Sequence, residues 1–130
     1  MTRTRRGERG ASTVELAMYM PILLLLIFVA VQLALVYLGN QAASAVARES
    51  ARAARTSDGD TGAGERAGYQ YAANIGRGIL TGVEVTVVRV GDDQVRAVVT
   101  GHAQELSPVL VPQVSETVVG PIEEFREDTP

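Results

Sequence analysis

Leu16 to Leu38 is a run of 23 residues with no charge and one strongly polar side chain, Gln32. At ~1.5 Å per residue, about 20 helical residues cross a hydrocarbon core ~30 Å thick. A helix that is apolar on every side needs either lipid or a large protein interior around it. The chain has 130 residues, too few to surround such a helix, so the run predicts a single membrane span. A cleaved secretory signal is the other reading to weigh, because Ala43-Ser44-Ala45 offers a small-residue cleavage site. The apolar region of such a signal is ~7–15 residues long, and this run exceeds that.

The flanks of the run set its orientation. Arg3, Arg5, Arg6 and Arg9 against Glu8 give the first ten residues a charge of +3, within a chain whose net charge is −3. Residues 11–130 therefore carry −6. A basic leader suits an anionic cytoplasmic leaflet. Arg48, Arg52 and Arg55 beyond the far end weaken that asymmetry. The acidic remainder argues against nucleic-acid binding, which needs basic stripes to displace counterions. Cysteine is absent, which removes disulfides and thiolate metal sites.

One carboxylate, Glu15, stands at the mouth of the run, five residues after Gly10. Carrying an ionised side chain to the bilayer centre costs about 2.5–3.5 kcal/mol, so Glu15 calls for a functional partner. Pro21 lies inside the run and removes one backbone hydrogen bond, which predicts a kink or loosening near Ala17. The kink is either simply tolerated, with neighbours satisfying the freed carbonyl, or a weak point where the helix changes shape on leaving the bilayer.

Beyond the run, Asn40 to Thr56 is rich in alanine and arginine, both strong helix formers. No proline interrupts from Ile22 to Thr56, so the span is expected to continue as one helix. Ala43, Val46, Ala47, Ser50, Ala51 and Ala54 share a narrow face of small residues, suited to close approach by the chain's own sheet. Glu49 and Arg52, three apart, can pair. Residues 56–64 read as a loop, and Glu65 to about Leu80 as a second, shorter helix with Ala67, Tyr71, Ile75 and Ile79 at spacings near four. Gly82 to Val90 alternates as a strand with Val83, Val85 and Val87 on one face. Gly91-Asp92-Asp93-Gln94 makes a turn, and Val95 to Thr100 a second strand with Val95, Ala97 and Val99 on one face. Val114 to Val119 is a third strand, ended by Gly120-Pro121, and an acidic tail follows from Glu123. The expected fold class is α+β: a long N-terminal transmembrane helix extending out of the membrane, packed on a small antiparallel sheet of about three strands with a second short helix.

The residues hold little catalytic chemistry. His102 is the only histidine and sits at the end of a strand pattern, where a structural or surface role outweighs a catalytic one. Metal sites want two or more His or Cys ligands at set spacing. Asp58-Gly59-Asp60 lacks the later ligands of a calcium loop. The glycines at 76, 78 and 82 miss dinucleotide spacing and follow a helix pattern. Neither an enzyme nor a cofactor is expected.

Gly10, the small residues Ala11, Ser12 and Thr13, Val14-Glu15, then Pro21 and the apolar helix, closed by Ala47-Arg48-Glu49-Ser50-Ala51-Arg52-Ala53-Ala54, resemble the N-terminal region of the TadE-like pseudopilins. The tail Gly120-Pro121-Ile122-Glu123-Glu124-Phe125 resembles the end of many actinobacterial members. Two mild departures are Leu16, where the family often has an aromatic residue, and Ser50, where it often has glycine. The resemblance implies cleavage between Gly10 and Ala11 by a membrane aspartic prepilin peptidase on the cytoplasmic side. It also implies that Glu15 neutralises the new Ala11 amine, on the same or a neighbouring subunit. The implied role is that of a minor pilin or pseudopilin in assembly of a Tad (Flp) pilus. Partners would be other Tad pilins and inner-membrane platform proteins, with the bilayer around the span. The corresponding domains are a basic leader (1–10), the transmembrane helix and its continuation (11–56) and a small extracytoplasmic α+β domain (57–130). The competing reading is an uncleaved single-pass anchor displaying a small binding domain. A third is a protein secreted after cleavage at Ala45.

Overall fold

A computed structural model describes residues 7–75, 78–107, 109 and 112–123, without the side chains of 7–9 and 11. The leader arginines at 3, 5 and 6, Gly76, Pro108 and the acidic tail from Glu124 onward lie outside the described residues. Two helices precede three strands: α1 (Gly7–Thr56), α2 (Thr61–Ile75), β1 (Leu80–Val90), β2 (Gln94–Ala103) and β3 (Gln113–Pro121). The strands form one antiparallel sheet in the order β1-β2-β3. This is the α+β arrangement expected from the sequence. The chain divides into two compact units, Met1–Ala34 and Leu35–Pro130.

The described residues of the first unit, 7–34, are all helix. Val14, Leu16, Met18 and the leucines and isoleucines from Ile22 to Leu33 are all exposed. The helix is long and apolar enough to cross a membrane, with a best 18-residue window of mean hydropathy 2.7 of which 6% is buried.

In the second unit the small-residue face of α1 becomes the core. Ala43, Val46, Ala47, Ser50 and Ala54 are fully buried and Ala51 nearly so. They cluster with Val85, Val87, Val95, Ala97, Val99 and Val114 from one face of the sheet. Both the helix face and the strand faces are those the alternation in the sequence assigns. Two contacts fix the direction of α1 along the sheet. A Cβ on Gly39 would lie 2.6 Å from that of Ala103, and one on Gly120, paired with Val95, would lie 2.9 Å from Arg55 Cδ. From Gly39 to Arg55 a helix rises about 24 Å, and from Val95 to Ala103 a strand covers about 26 Å. Helix and central strand therefore match in length and run in opposite directions.

The structure corrects several boundaries. Residues 61–64 are helix rather than loop, because Asp60 caps α2: its Oδ1 accepts the Gly62 N–H at 2.9 Å. The connection shrinks to residues 57–60. Asp58 and Gly59 take left-handed backbone conformations (φ 58° and 75°), and the Gly59 N–H reaches back to the Ala54 carbonyl at 2.9 Å, closing α1. The described α2 ends at Ile75 rather than near Leu80. Its buried positions are Gly64 and Gly68, while Tyr71 is exposed. Of the residues spaced near four, Ile75 and Ile79 do pack against the core while Tyr71 faces out; the spacing misses Gly64 and Gly68, since a hydropathy pattern gives glycine no weight.

β1 begins at Leu80, two residues before the expected start. A bulge between Thr81 and Glu84, with Gly82 at φ 59°, lets pairing continue past the irregularity. β2 runs to Ala103 rather than Thr100. Val90 pairs with Gln94, so the hairpin connection has three residues rather than four. β3 keeps Pro121 as its last residue, tolerated because β3 is an edge strand.

Candidate functional site

The residues singled out in the sequence all stand on α1. Gly10 is exposed, and a Cβ built there meets no atom within 4 Å. Ala11 is helical, its side chain outside the description. Glu15 is exposed, and it follows Ala11 by four residues, one helical turn, so the two positions lie on the same side of the helix. Pro21 lies within a helix that continues on both sides of it. Proline has no N–H to give the Ala17 carbonyl, so that acceptor is left to other donors.

This first stretch offers a carboxylate and an open backbone position on an exposed apolar rod. From Leu16 to Leu33 every residue but the half-buried Gln32 is exposed. Such a surface is stable in hydrocarbon or against other apolar helices. Glu15 at its entrance is the one acid within the described apolar stretch.

The second unit contains contacts that the sequence did not announce. Gly64 and Gly68 of α2 sit where α1, α2 and β1 meet. A Cβ on Gly64 would lie 2.8 Å from the Ser50 carbonyl oxygen and 2.9 Å from Ala54 Cβ, while one on Gly68 would collide with Ser50 Oγ. Ser50 turns its own hydroxyl to the Val46 carbonyl at 2.9 Å, which satisfies this buried polar group. Its neighbours at 64 and 68 are glycines, so a serine fits at 50 without forcing the helices apart.

α2 also closes the outer edge of the sheet. The Tyr69 hydroxyl accepts the Val85 N–H at 3.1 Å, and Glu65 Oε1 accepts the Val87 N–H at 3.2 Å. Both donors belong to β1, an edge strand with otherwise open backbone groups. At the far end of the unit, Arg55 Nε donates to the Pro121 carbonyl at 2.6 Å and its Nη2 lies 3.4 Å from Glu123 Oε1. The Glu123 N–H donates to the Arg55 carbonyl at 3.3 Å, so the end of β3 is tied to the end of α1. The Glu49–Arg52 pair forms as its spacing suggests, through two hydrogen bonds of 3.0 and 2.7 Å. Hydrogen bonding by Arg52 holds the Glu49 carboxyl below its ordinary value, against an opposing effect of burial.

His102 pairs across the sheet with Thr81 and Gln113 and lines an open cleft of about 410 Å³ with Gly82 and Glu105. Among the described residues, no group of three or more His, Asp or Glu is placed to hold a metal ion.

A family model described as TadE-like protein matches residues 10–52, about a third of the chain. The match takes in Gly10, Glu15, Pro21, the apolar run and the small-residue face of α1 as far as Arg52. No curated protein and no solved structure matches the chain.

Proposed function

We propose, from the premise that residues 10–52 make this a TadE-like chain, that the protein is a minor pilin or pseudopilin serving assembly of a Tad (Flp) pilus. The observation that carries this reading is the continuity of α1. One helix joins a motif of glycine and carboxylate, an exposed apolar rod and a packing face for a small α+β unit. A subunit that waits in a membrane and is then handed to an assembly needs those three parts.

The leader faces the cytoplasm and the second unit lies outside the membrane. A membrane aspartic prepilin peptidase removes the leader between Gly10 and Ala11. Glycine suits the scissile position because a side chain there would crowd the peptidase, and the openness around Gly10 supports access. The new Ala11 amine is cationic, and Glu15 stands one turn along the helix to neutralise it, in this chain or across to a neighbour. Neutralisation offsets the cost of holding a carboxylate in an apolar setting. Other Tad pilins and the inner-membrane platform proteins are the partners, and the chain carries out no reaction of its own.

The test is the N-terminus and intact mass of the protein recovered from host membranes, with and without the peptidase. A start at Ala11 that depends on the peptidase is expected. A start at Met1 or Thr2 in both strains leaves an uncleaved anchor and refutes the processing step. A start at Val46 means secretion and refutes the membrane role as well.

A further inference from the structure

The two edges of the sheet are finished differently. In an antiparallel ladder, bonded pairs alternate with unbonded ones. The Ala103 N–H donates to the Pro112 carbonyl at 3.0 Å, and the Ile122 N–H to the Asp93 carbonyl at 2.7 Å. Both pairs continue the unbroken β2–β3 register, so the even-numbered residues of β3 bond to β2. The N–H and C=O groups of Gln113, Ser115, Thr117 and Val119 therefore point away from the sheet. Pro121, next in that series, gives its carbonyl to Arg55. On β1 the outward N–H groups of Val85 and Val87 are taken by Tyr69 and Glu65 of α2. On β3, Ser115, Thr117 and Val119 are exposed, and among the described residues no group accepts their N–H.

Edge strands are commonly blunted by proline, a bulge or charge. β3 has nine residues, no bulge and no proline before its last position. Its one charged side chain is Glu116. Glu116 is half-buried on the face turned to α1, between Val114 of the core and Val118 packed against it. Among the described residues no cation pairs with it. This acid limits which strand can lie alongside. A second copy has only its own β3 to offer, because its β1 edge is closed. In antiparallel registers that match the outward groups over most of β3, the two Glu116 side chains fall opposite or diagonally across from each other. Like charges so placed are destabilising. The sequence after Glu123 carries Glu124, Glu127 and Asp128 against Arg126, which is also the wrong sign.

We propose that the β3 edge accepts one extended strand from another protein, and that Glu116 selects it by pairing with a basic side chain on the strand's α1-facing side. The added strand hydrogen-bonds to Ser115, Thr117 and Val119 and sets an aliphatic side chain beside Val118. The inference goes beyond the pilin reading and does not depend on it or on the membrane span.

The probe is a fluorescent seven-residue peptide, Thr-Val-Thr-Arg-Thr-Val-Thr with blocked ends. Its order reads the same in both directions, so its arginine meets Glu116 in either orientation. Binding to the full-length protein in detergent micelles is followed by anisotropy, and the bound site by amide hydrogen exchange. Saturable binding is expected, with exchange slowed at Ser115, Thr117 and Val119 and unchanged at Val85 and Val87. Glutamate in place of the peptide's arginine should weaken binding about fivefold or more. N-methylation of the two threonines beside the arginine should abolish it. Glu116→Gln protein should lose the preference for arginine over glutamate. No binding, binding that ignores the N-methyl groups, or equal binding of the glutamate peptide overturns the proposal. Slow exchange at 115, 117 and 119 in the protein alone overturns it as well. Such protection means a second copy covers the edge if it depends on protein concentration, and the chain itself if it does not.

Discussion

α1 is one helix with two environments, and the comparison between them is instructive. Residues 12–31 are exposed throughout and carry large aliphatic side chains. Residues 42–54 are half buried and bring alanine, valine and serine to the core. Helix propensity is high in both stretches, so propensity does not separate them. Side-chain volume and its distribution around the axis do. Large residues on every side ask for a medium that can flow around them. Small residues on one face ask for a rigid neighbour at close range, and the largest fully buried side chains of the second unit are only Val46, Val95, Val99 and Ser50. A core of that kind gains little area per residue, so its stability leans on close fit.

The largest expected effect comes from breaking the first environment alone. Leu24→Arg with Leu25→Arg places two cations mid-run, at about 6 kcal/mol for the pair if carried to the bilayer centre. Membrane integration, read by resistance to alkaline extraction, should be lost. The unfolding transition of the second unit should not move, because neither leucine contributes to its core.

Gly68→Val does the reverse. Its Cβ would collide with Ser50 Oγ and its branches would reach Val85, an overpacking cost of about 3 kcal/mol. Thermal unfolding followed by circular dichroism should shift down sharply while alkaline extraction stays unchanged. Adding Ser50→Gly should recover part of the loss, because the two sites share one contact. If the double variant is no better than the single, the seam is not where the strain lies.

A smaller change is expected from Asp60→Ala, which removes the cap of α2 and costs about 1 kcal/mol. Asp60→Asn should retain most of the stability in the same melting assay. The smallest effect sharpens the comparison at the surface. Glu49 has its carboxyl held below the ordinary value of 4.5 by Arg52. Its contribution is therefore present above that value and fades as pH falls through the lower folded value. Denaturation curves across this acid range should flatten slightly in Glu49→Gln, more so at low salt, because the pair is exposed.

Much of this architecture can be read from side-chain order. The alternation at Val83, Val85 and Val87, and again at Val95, Ala97 and Val99, assigns the buried sheet face because strand side chains alternate strictly. The stripe from Ala43 to Ala54 assigns the buried helix face by the same logic at helical period. The start of α2 escapes that reading, since Thr61 to Gly64 looks like a loop until Asp60 is seen as a cap. The packing face of α2 escapes it too, because Gly64 and Gly68 act through the absence of a side chain. Tyr69 and Glu65 have unremarkable spacing, and their role on the β1 edge follows only from where the helix lies. Arg55 meets Pro121 across 66 positions of sequence, a separation no local pattern covers.

By itself the sequence determined the apolar run, the likeness of residues 10–52 to the TadE-like family, the α+β class and the buried faces of α1, β1 and β2. Each is a periodic or local property, fixed by hydropathy and by the geometry of a single element. Only the tertiary structure decided which glycines form a seam, which side chains close the sheet edge, and that Arg55 ties the end of β3 to the end of α1. Those depend on residues far apart in the chain meeting at contact distance, and contact distance is set by packing the elements together.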